Sequence, residues 1–282
     1  MYKQFLPQSQ LADHIAFFYI MEKEVPDLEA QQAELLMPSG TPVVGFHYTG
    51  RWNVEASFFN GPLPKYYIVG QQTLRYSLTV MQQKTGILGA ALKPTTLWHW
   101  FKKPLDTFTN NPISTEKIFG ERFLENMAEF EKLQTTDERM TLIEKFFLNF
   151  VKNKPVFPTL VDEAIQLIFN RKGCISTAEI CQNIHIGERY LQQLFKTQVG
   201  LSPSKYARIT RINNILAEIS QNGGNNDLQF LTSFYNYYDA QHFNKDFKSY
   251  CGQAPSTFLI EKFQLLKELV ENEPYLIQVQ KK

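Results

Sequence analysis

The sequence predicts an α+β chain: a β-rich N-terminal barrel or sandwich with a helical hairpin, then an all-α C-terminal part with two helix-turn-helix motifs. Three observations predict it. One pattern occurs twice between Ser176 and Phe258: Leu191, Phe195, Lys196, Gly200, Pro203, Ser204 and Tyr206 recur as Phe243, Phe247, Lys248, Gly252, Pro255, Ser256 and Phe258, always 52 residues later. A repeat kept in register without a gap marks one structural unit used twice. Five segments rich in β-branched and aromatic residues, separated by turn chemistry, crowd into residues 43–92. From residue 113 the apolar spacing becomes helical.

At 282 residues the chain is long enough for two domains. The boundaries expected are 1–152 for the β-rich part with its helices, 159–260 for the part with the two helix-turn-helix motifs and 261–282 for a helical extension or tail. The formal net charge of +1 excludes a basic nucleic-acid coat. Between residues 171 and 258, however, nine basic side chains stand against six acidic ones, a bias that helps phosphate binding. Cys174, Cys181 and Cys251 make neither an even disulfide set nor a C-x-x-C pair, and are expected as small buried apolar residues. Met1–Gln10 lacks the apolar core of a signal peptide, and no run approaches the ~20 apolar residues of a membrane span. A cytoplasmic protein with no membrane partner is expected.

In chain order, Leu11–Met21 is either a short helix or a strand. Pro38-Ser39-Gly40-Thr41-Pro42 and Asn60-Gly61-Pro62 are turn sequences. Val43–Tyr48, Trp52–Phe59, Tyr66–Gly70, Tyr76–Met81 and Ile87–Leu92 are the five strand segments. Phe119, Phe123, Met127 and Phe130 form one helical stripe, and Met140, Ile143, Phe146, Phe147 and Phe150 another. Two helices meeting near Thr135-Thr136 would close the N-terminal core or lend surface to a homodimer. Residues 152–158, with two prolines, break regular structure.

The first copy of the repeat follows an amphipathic helix at Thr159–Asn170 that Gly173 stops. Ser176-Thr177-Ala178-Glu179 fits a capping box and starts a short helix to about Asn183. His185-Ile186-Gly187 is the turn and Glu188–Gln198 the next helix. On it Leu191, Leu194 and Phe195 face inward, while Arg189, Gln192, Gln193 and Lys196 share one polar stripe at i, i+3, i+4 and i+7. The forked ends of Arg and Gln match guanine and adenine edges, and a lysine suits a phosphate; the bland alternative is a solvated helix face. Ser202 and Pro203 open a helix to about Ser220, roughly 27 Å at 1.5 Å per residue, suited to hold two reading helices one turn of DNA apart. Asn222–Asn225 is read as a mobile loop. In the second copy Asn226 or Asp227 caps a helix ending near Tyr235, Asn236–Tyr238 turns, and Asp239 caps Ala240–Tyr250. Gln241, Asn244, Lys245 and Lys248 point outward, and His242 either flanks that face or packs against the phenylalanines.

At these residues the chain resembles the arabinose-regulator (AraC/XylS-type) transcription factors, through "RYLQQLFKTQVGLSPSKY" and "YDAQHFNKDFKSYCGQAPSTF". The resemblance covers about residues 160–260. It implies a seven-helix unit whose two recognition helices enter successive major grooves. Position by position it assigns base reading to Arg189, Gln192 and Gln193, and to Gln241 and Lys245. Cys181 and Thr232 stand where the family has alanine, His185 and Asn236 where it has glycine, and Ala254 replaces the serine-like cap seen at Ser202. The stretches "MPSGTPVVGFHY", "VVGQQ" and "GILGAALKP" look like a cupin-like module, which implies ligand sensing, dimerisation, or both.

The function expected is a sequence-specific DNA-binding transcriptional regulator. Its partners would be double-stranded promoter or operator DNA, a small-molecule effector, a second copy in a homodimer, and RNA polymerase, with no cofactor. The alternative is an interaction or small-molecule-binding module with weakened DNA binding. Catalysis is not expected: His14, His47 and His99 stand isolated, without H-x-H, H-E-x-x-H, C-x-x-C, G-x-S-x-G or a phosphate loop, so neither a metal site nor an active site has its usual spacing.

Overall fold

The protein was analysed as a computed structural model, which describes residues 1–223 and 227–272. Ten strands form the N-terminal half: β1 Tyr2–Phe5, β2 Ile15–Glu24, β3 Glu34–Leu36, β4 Val43–Thr49, β5 Trp52–Glu55, β6 Asn60–Pro62, β7 Tyr66–Val69, β8 Tyr76–Val80, β9 Lys84–Leu92 and β10 Ile113–Ser114. They make two antiparallel sheets, of order β1-β2-β9-β4-β7-β10 and β3-β8-β5-β6. The barrel-or-sandwich alternative thus resolves to a sandwich. Helices α1 Thr96–Phe101, α2 Glu116–Phe119, α3 Glu121–Phe130 and α4 Thr136–Val151 belong to the same half.

Alternation along the strands builds three layers. Phe18, Ile20, Val44 and Phe46 pack under the helices, where the Phe46 ring meets Phe123, Phe130 and Phe147 at 6.1–6.2 Å between centroids. Met21, Tyr67 and Ile87 face the second sheet, against Trp52, Val54 and Leu78. One row crosses four strands: Tyr19 pairs with Gly89, Gly89 with Gly45, and Gly45 with Tyr67. A Cβ at Gly89 would fall 2.1 Å from the Tyr19 ring and one at Gly45 2.4 Å from the Tyr67 ring, so both tyrosines lie flat across glycines. Their hydroxyls hydrogen-bond each other above that floor.

Several expectations change here. Leu11–Met21 divides into a 3-10 turn at Ser9–Leu11 and the start of β2. The Trp52–Phe59 segment is extended only to Glu55. Residues 96–101, ahead of the helical spacing expected from residue 113, are already helical because Trp100 and Leu97 bury one face against the sheet. The Phe119 stripe is not one helix: Gly120, at φ +76°, separates α2 from α3. The hairpin partner α4 is capped by Thr135, whose hydroxyl and Glu138 form a capping box.

Residues 152–159 carry no helix or strand. Beyond them lie α5 Leu160–Asn170, α6 Thr177–Ile184, α7 Glu188–Gln198, α8 Pro203–Gln221, α9 Leu228–Phe234, α10 Ala240–Cys251 and α11 Gln264–Asn272. Ser176 and Glu179 form the expected capping box, Ser202 caps α8, and Asp227 and Asp239 cap α9 and α10. The other candidate cap, Asn226, and residues 224–225 of the expected loop lie outside the described residues, as do residues 273–282 of the expected tail. The copies diverge after their shared proline: Ser202 starts a 19-residue helix, whereas Ala254 is followed by a turn and a short 3-10 helix at Ile260–Lys262, and α11 begins ten residues after it. Both copies turn through a non-glycine residue in the left-handed region, His185 at φ 56° and Asn236 at φ 54°. Of the cysteines, Cys181 and Cys251 are buried but Cys174 only half-buried, and all three are free thiols.

The two halves meet at the Pro38–Thr41 turn. The Pro38 carbonyl accepts from Asn213 Nδ2 (2.9 Å) and Tyr250 Oη (3.2 Å), and the Gly40 carbonyl from Tyr206 Oη (3.1 Å) and Gln71 Nε2 (3.0 Å). Gly40 has φ +80°, and Met37 joins the core of the helical half. In return α11 lies on β3 and α8: Leu265 enters the core between the sheets, its backbone N–H donates to Glu34, and Ser220 Oγ donates to Glu271 (2.7 Å).

Two predictions follow from local chemistry. His47 is 1% exposed, its Nδ1 lies 3.1 Å from the Lys65 carbonyl, and its Nε2 accepts from the Trp52 N–H. Burial lowers its pKa from 6.5 to about 4, so the unfolded chain binds the extra proton between those values. Stability should be full above pH 6.5 and fall by up to about 3 kcal/mol as pH drops to 4. Urea melts across that range should show this slope, and His47→Asn should flatten it. His185→Gly should raise stability by about 0.5–1 kcal/mol in urea melts by relieving the left-handed turn, and Asn236→Gly by less, since Asn tolerates that conformation better.

Candidate nucleic-acid interface

Leu191 and Phe195 of α7 are fully buried, and the helical period then turns Arg189, Gln192, Gln193 and Lys196 to solvent. Phe243 and Phe247 are likewise fully buried in α10, leaving Gln241, Lys245 and Lys248 exposed and Asn244 half-buried. Among the described residues none of these eight side chains has a hydrogen-bond or ion-pair partner. Two like-built polar faces of one protein are therefore open to an outside ligand. His242 is exposed and packs edge-on against Tyr237 at 5.4 Å, so it flanks this face and stays out of the phenylalanine core.

The spacer α8 fixes both units. Ile209, Ile212, Ile215, Leu216 and Ile219 form a spine that α7 and α10 share through Leu191, Phe195, Phe243 and Phe247. Charged clamps add direction. Arg208 pairs with Asp246 of α10 at 2.7 Å, and Asp246 also accepts from Tyr237 Oη at 2.7 Å. Arg211 donates from Nε and a terminal nitrogen to the Gly173 carbonyl at 3.2 and 3.0 Å, its guanidinium 5.3 Å from the Tyr237 ring centre. Lys172 sits 5.0 Å over the Phe234 ring. Two of the nine basic residues counted from sequence, Arg208 and Arg211, thus work as clamps within the domain, while Lys172 stays exposed over Phe234. The positive charge left to face a phosphate is concentrated on α7, α10 and the ends of neighbouring helices.

Sequence reasoning missed Tyr238. It is 93% exposed, directly before the Asp239 cap that opens α10, and Tyr190 on α7 is 52% exposed beside Arg189. No local signal singled it out, since its neighbour Tyr237, in the same turn, is buried against Phe243 and hydrogen-bonded to Asp246.

The isolated histidines have packing roles. His14 Nδ1 accepts from Trp100 Nε1 (3.0 Å), and His99 is buried beside Trp98. Among the described residues no three His, Cys, Asp or Glu side chains are placed to hold a metal, and no helix is long and apolar enough to cross a membrane.

Residues 3–114 match the family described as Domain of unknown function (DUF6597), and residues 180–260 match the Helix-turn-helix domain family. Over 86 residues the chain is 31% identical to the raffinose operon transcriptional regulatory protein RafR of Pediococcus pentosaceus, covering 30% of each protein. Over 84 residues it is 32% identical to the uncharacterized HTH-type transcriptional regulator YidL of Escherichia coli K12, covering 30% of this chain and 28% of YidL. The chain thus spans under a third of the length of these curated relatives. ToxT from Vibrio cholerae O395, solved bound to (E)-4-(8-methylnaphthalen-1-yl)but-3-enoic acid, aligns over 88% of this chain and 99% of its own, at 12% identity and a TM-score of 0.49. At that score the architecture rests on the structure itself. The helix-turn-helix match thus falls in the helical half, from α6 to the end of the second copy, and the DUF6597 match falls on the β-sandwich.

Proposed function

We propose that the protein is a sequence-specific transcriptional regulator whose α7 and α10 enter adjacent major grooves of promoter DNA. The observation that carries this reading is the pair of unpartnered polar faces on two copies of one motif, both seated on α8. Arg189, Gln192 and Gln193 read base edges from α7, and Gln241, Asn244 and Lys245 from α10. Lys196 and Lys248, nearer the C-terminal ends of their helices, hold phosphates and set the register. Tyr238 and Tyr190 add contacts at the groove edge. In this reading residues 159–260 bind DNA, residues 1–152 sense a small molecule, dimerise, or both, and RNA polymerase is the downstream partner in the cytoplasm.

The test is fluorescence anisotropy with a duplex selected from a random-sequence pool. Log affinity should fall steeply and linearly with log salt as counterions are released. Gln193→Ala should cost ~1–3 kcal/mol on the selected site and lose discrimination at one base pair. Lys248→Ala should weaken all sequences alike and reduce the salt slope by about 1. Salt-insensitive binding, or a Gln193→Ala protein that ranks all site variants as the parent does, would overturn the reading.

A further inference from the structure

A cavity of about 120 Å³ lies between the two sheets and reaches the helical half. We propose that it binds an uncharged, mainly aromatic molecule of about one ring, and that the DNA-binding half senses the occupant directly because it forms part of the wall. The inference rests on the regulator reading above and adds to it the ligand's chemical class and the route of coupling.

The class follows from the lining. Tyr19 and Tyr67, held flat over the Gly45–Gly89 floor, line the cavity together with Tyr76. Leu36, Val54 and Leu78 supply apolar surface from the second sheet. Polar groups are few: Ser39, Thr41, Gln72 and Asn213. Gln72 makes no side-chain hydrogen bond to the described residues, so its amide is free to orient a hydroxyl, carbonyl or amide. No lining residue is charged. Burial also pushes the Tyr19 and Tyr67 phenols well above their ordinary range, so they stay neutral donors and acceptors. A carboxylate here would lose its hydration with no cation to replace it, which strongly disfavours an acid. The size is that of a small ring system: an apolar cavity of about 150 Å³ holds benzene.

The route of coupling follows from the wall. Leu266, Leu269 and Val270 of α11 and Asn213 of α8 belong to the helical half and face the same space as Ser39 and Thr41. Ser39 and Thr41 flank Gly40, whose carbonyl is bound to Tyr206 of α8, and Asn213 itself holds the Pro38 carbonyl. An occupant therefore presses at once on α11, on the turn between the halves and on the spacer that carries α7 and α10. A ligand shifts an equilibrium only by such differential contacts, and linkage makes the effect reciprocal with DNA binding.

The test uses the full chain with benzamide and benzoate, which share shape and differ in charge. Saturation-transfer NMR should give benzamide at least tenfold tighter binding, with intermolecular NOEs from its ring to the methyls of Leu266, Leu269 and Val270 in the unmodified protein. Leu269→Trp, which fills the cavity from the α11 side, should abolish that signal. Saturating benzamide should change the affinity for the selected duplex at least threefold, and the duplex should change benzamide affinity by the same factor. Equal binding of benzoate, or NOEs elsewhere, would overturn the site and its class. A bound benzamide that leaves DNA affinity unmoved would overturn the coupling. A protein that binds benzamide at α11 but no DNA would sink the regulator reading and leave the site standing.

Discussion

Two backbone carbonyls, those of Pro38 and Gly40, hold the halves of this protein together. Each is buried, and each accepts from side chains of the helical half: Asn213 and Tyr206 on α8, Tyr250 on α10. A buried carbonyl without its donor costs about 1–3 kcal/mol, so the turn cannot leave its seat without exposing several such groups to a dry interior. Gly40 makes the fit possible, because its φ of +80° aims the carbonyl at α8, and a Cβ there would already touch the Tyr206 hydroxyl. The spacer helix is thus loaded from both sides. One face carries α7 and α10, and the other carries a loop of the sandwich.

The helical half separates its charges by task. Arg208 and Arg211 lie on α8 and look like phosphate ligands in a sequence, yet both guanidinium groups are engaged by carbonyl, carboxylate and aromatic partners of the same domain. They lock α10 to α8 and α8 to the loop before α6. Among the described residues, the polar side chains on the outer faces of α7 and α10 remain unpartnered. A reader of DNA needs this division, since groups aimed at bases must be presented rigidly while remaining free of internal partners.

The repeat made much of this legible. Strict spacing located α7 at Glu188–Gln198 to the residue, and the caps at Ser176, Ser202, Asp227 and Asp239 were readable because each places a short oxygen side chain three residues before an N–H that needs it. The β segments around Val43, Tyr66, Tyr76 and Ile87 were equally plain from side-chain type. Less was visible where short elements depend on distant partners. The helix at Thr96–Phe101 carries aromatic residues that also suit a strand, and only burial against the sheet decides between them. The Gly120 break lay hidden inside a periodic stripe, since a stripe does not reveal a left-handed residue between two helices.

The sequence by itself determined the two motifs, the five strand segments matching β4, β5, β7, β8 and β9, and the residues on each outward helical face, because these depend on local periods and caps that act over a few residues. Tertiary structure alone decided that the Pro38–Thr41 turn docks on α8, that Arg208 and Arg211 act as internal clamps, and that α11 returns to close a cavity in the sandwich. Those contacts join residues up to 231 apart in the chain, as between Glu34 and Leu265. Their partners are selected by shape and unmet hydrogen-bonding groups in the folded interior, which no local pattern records.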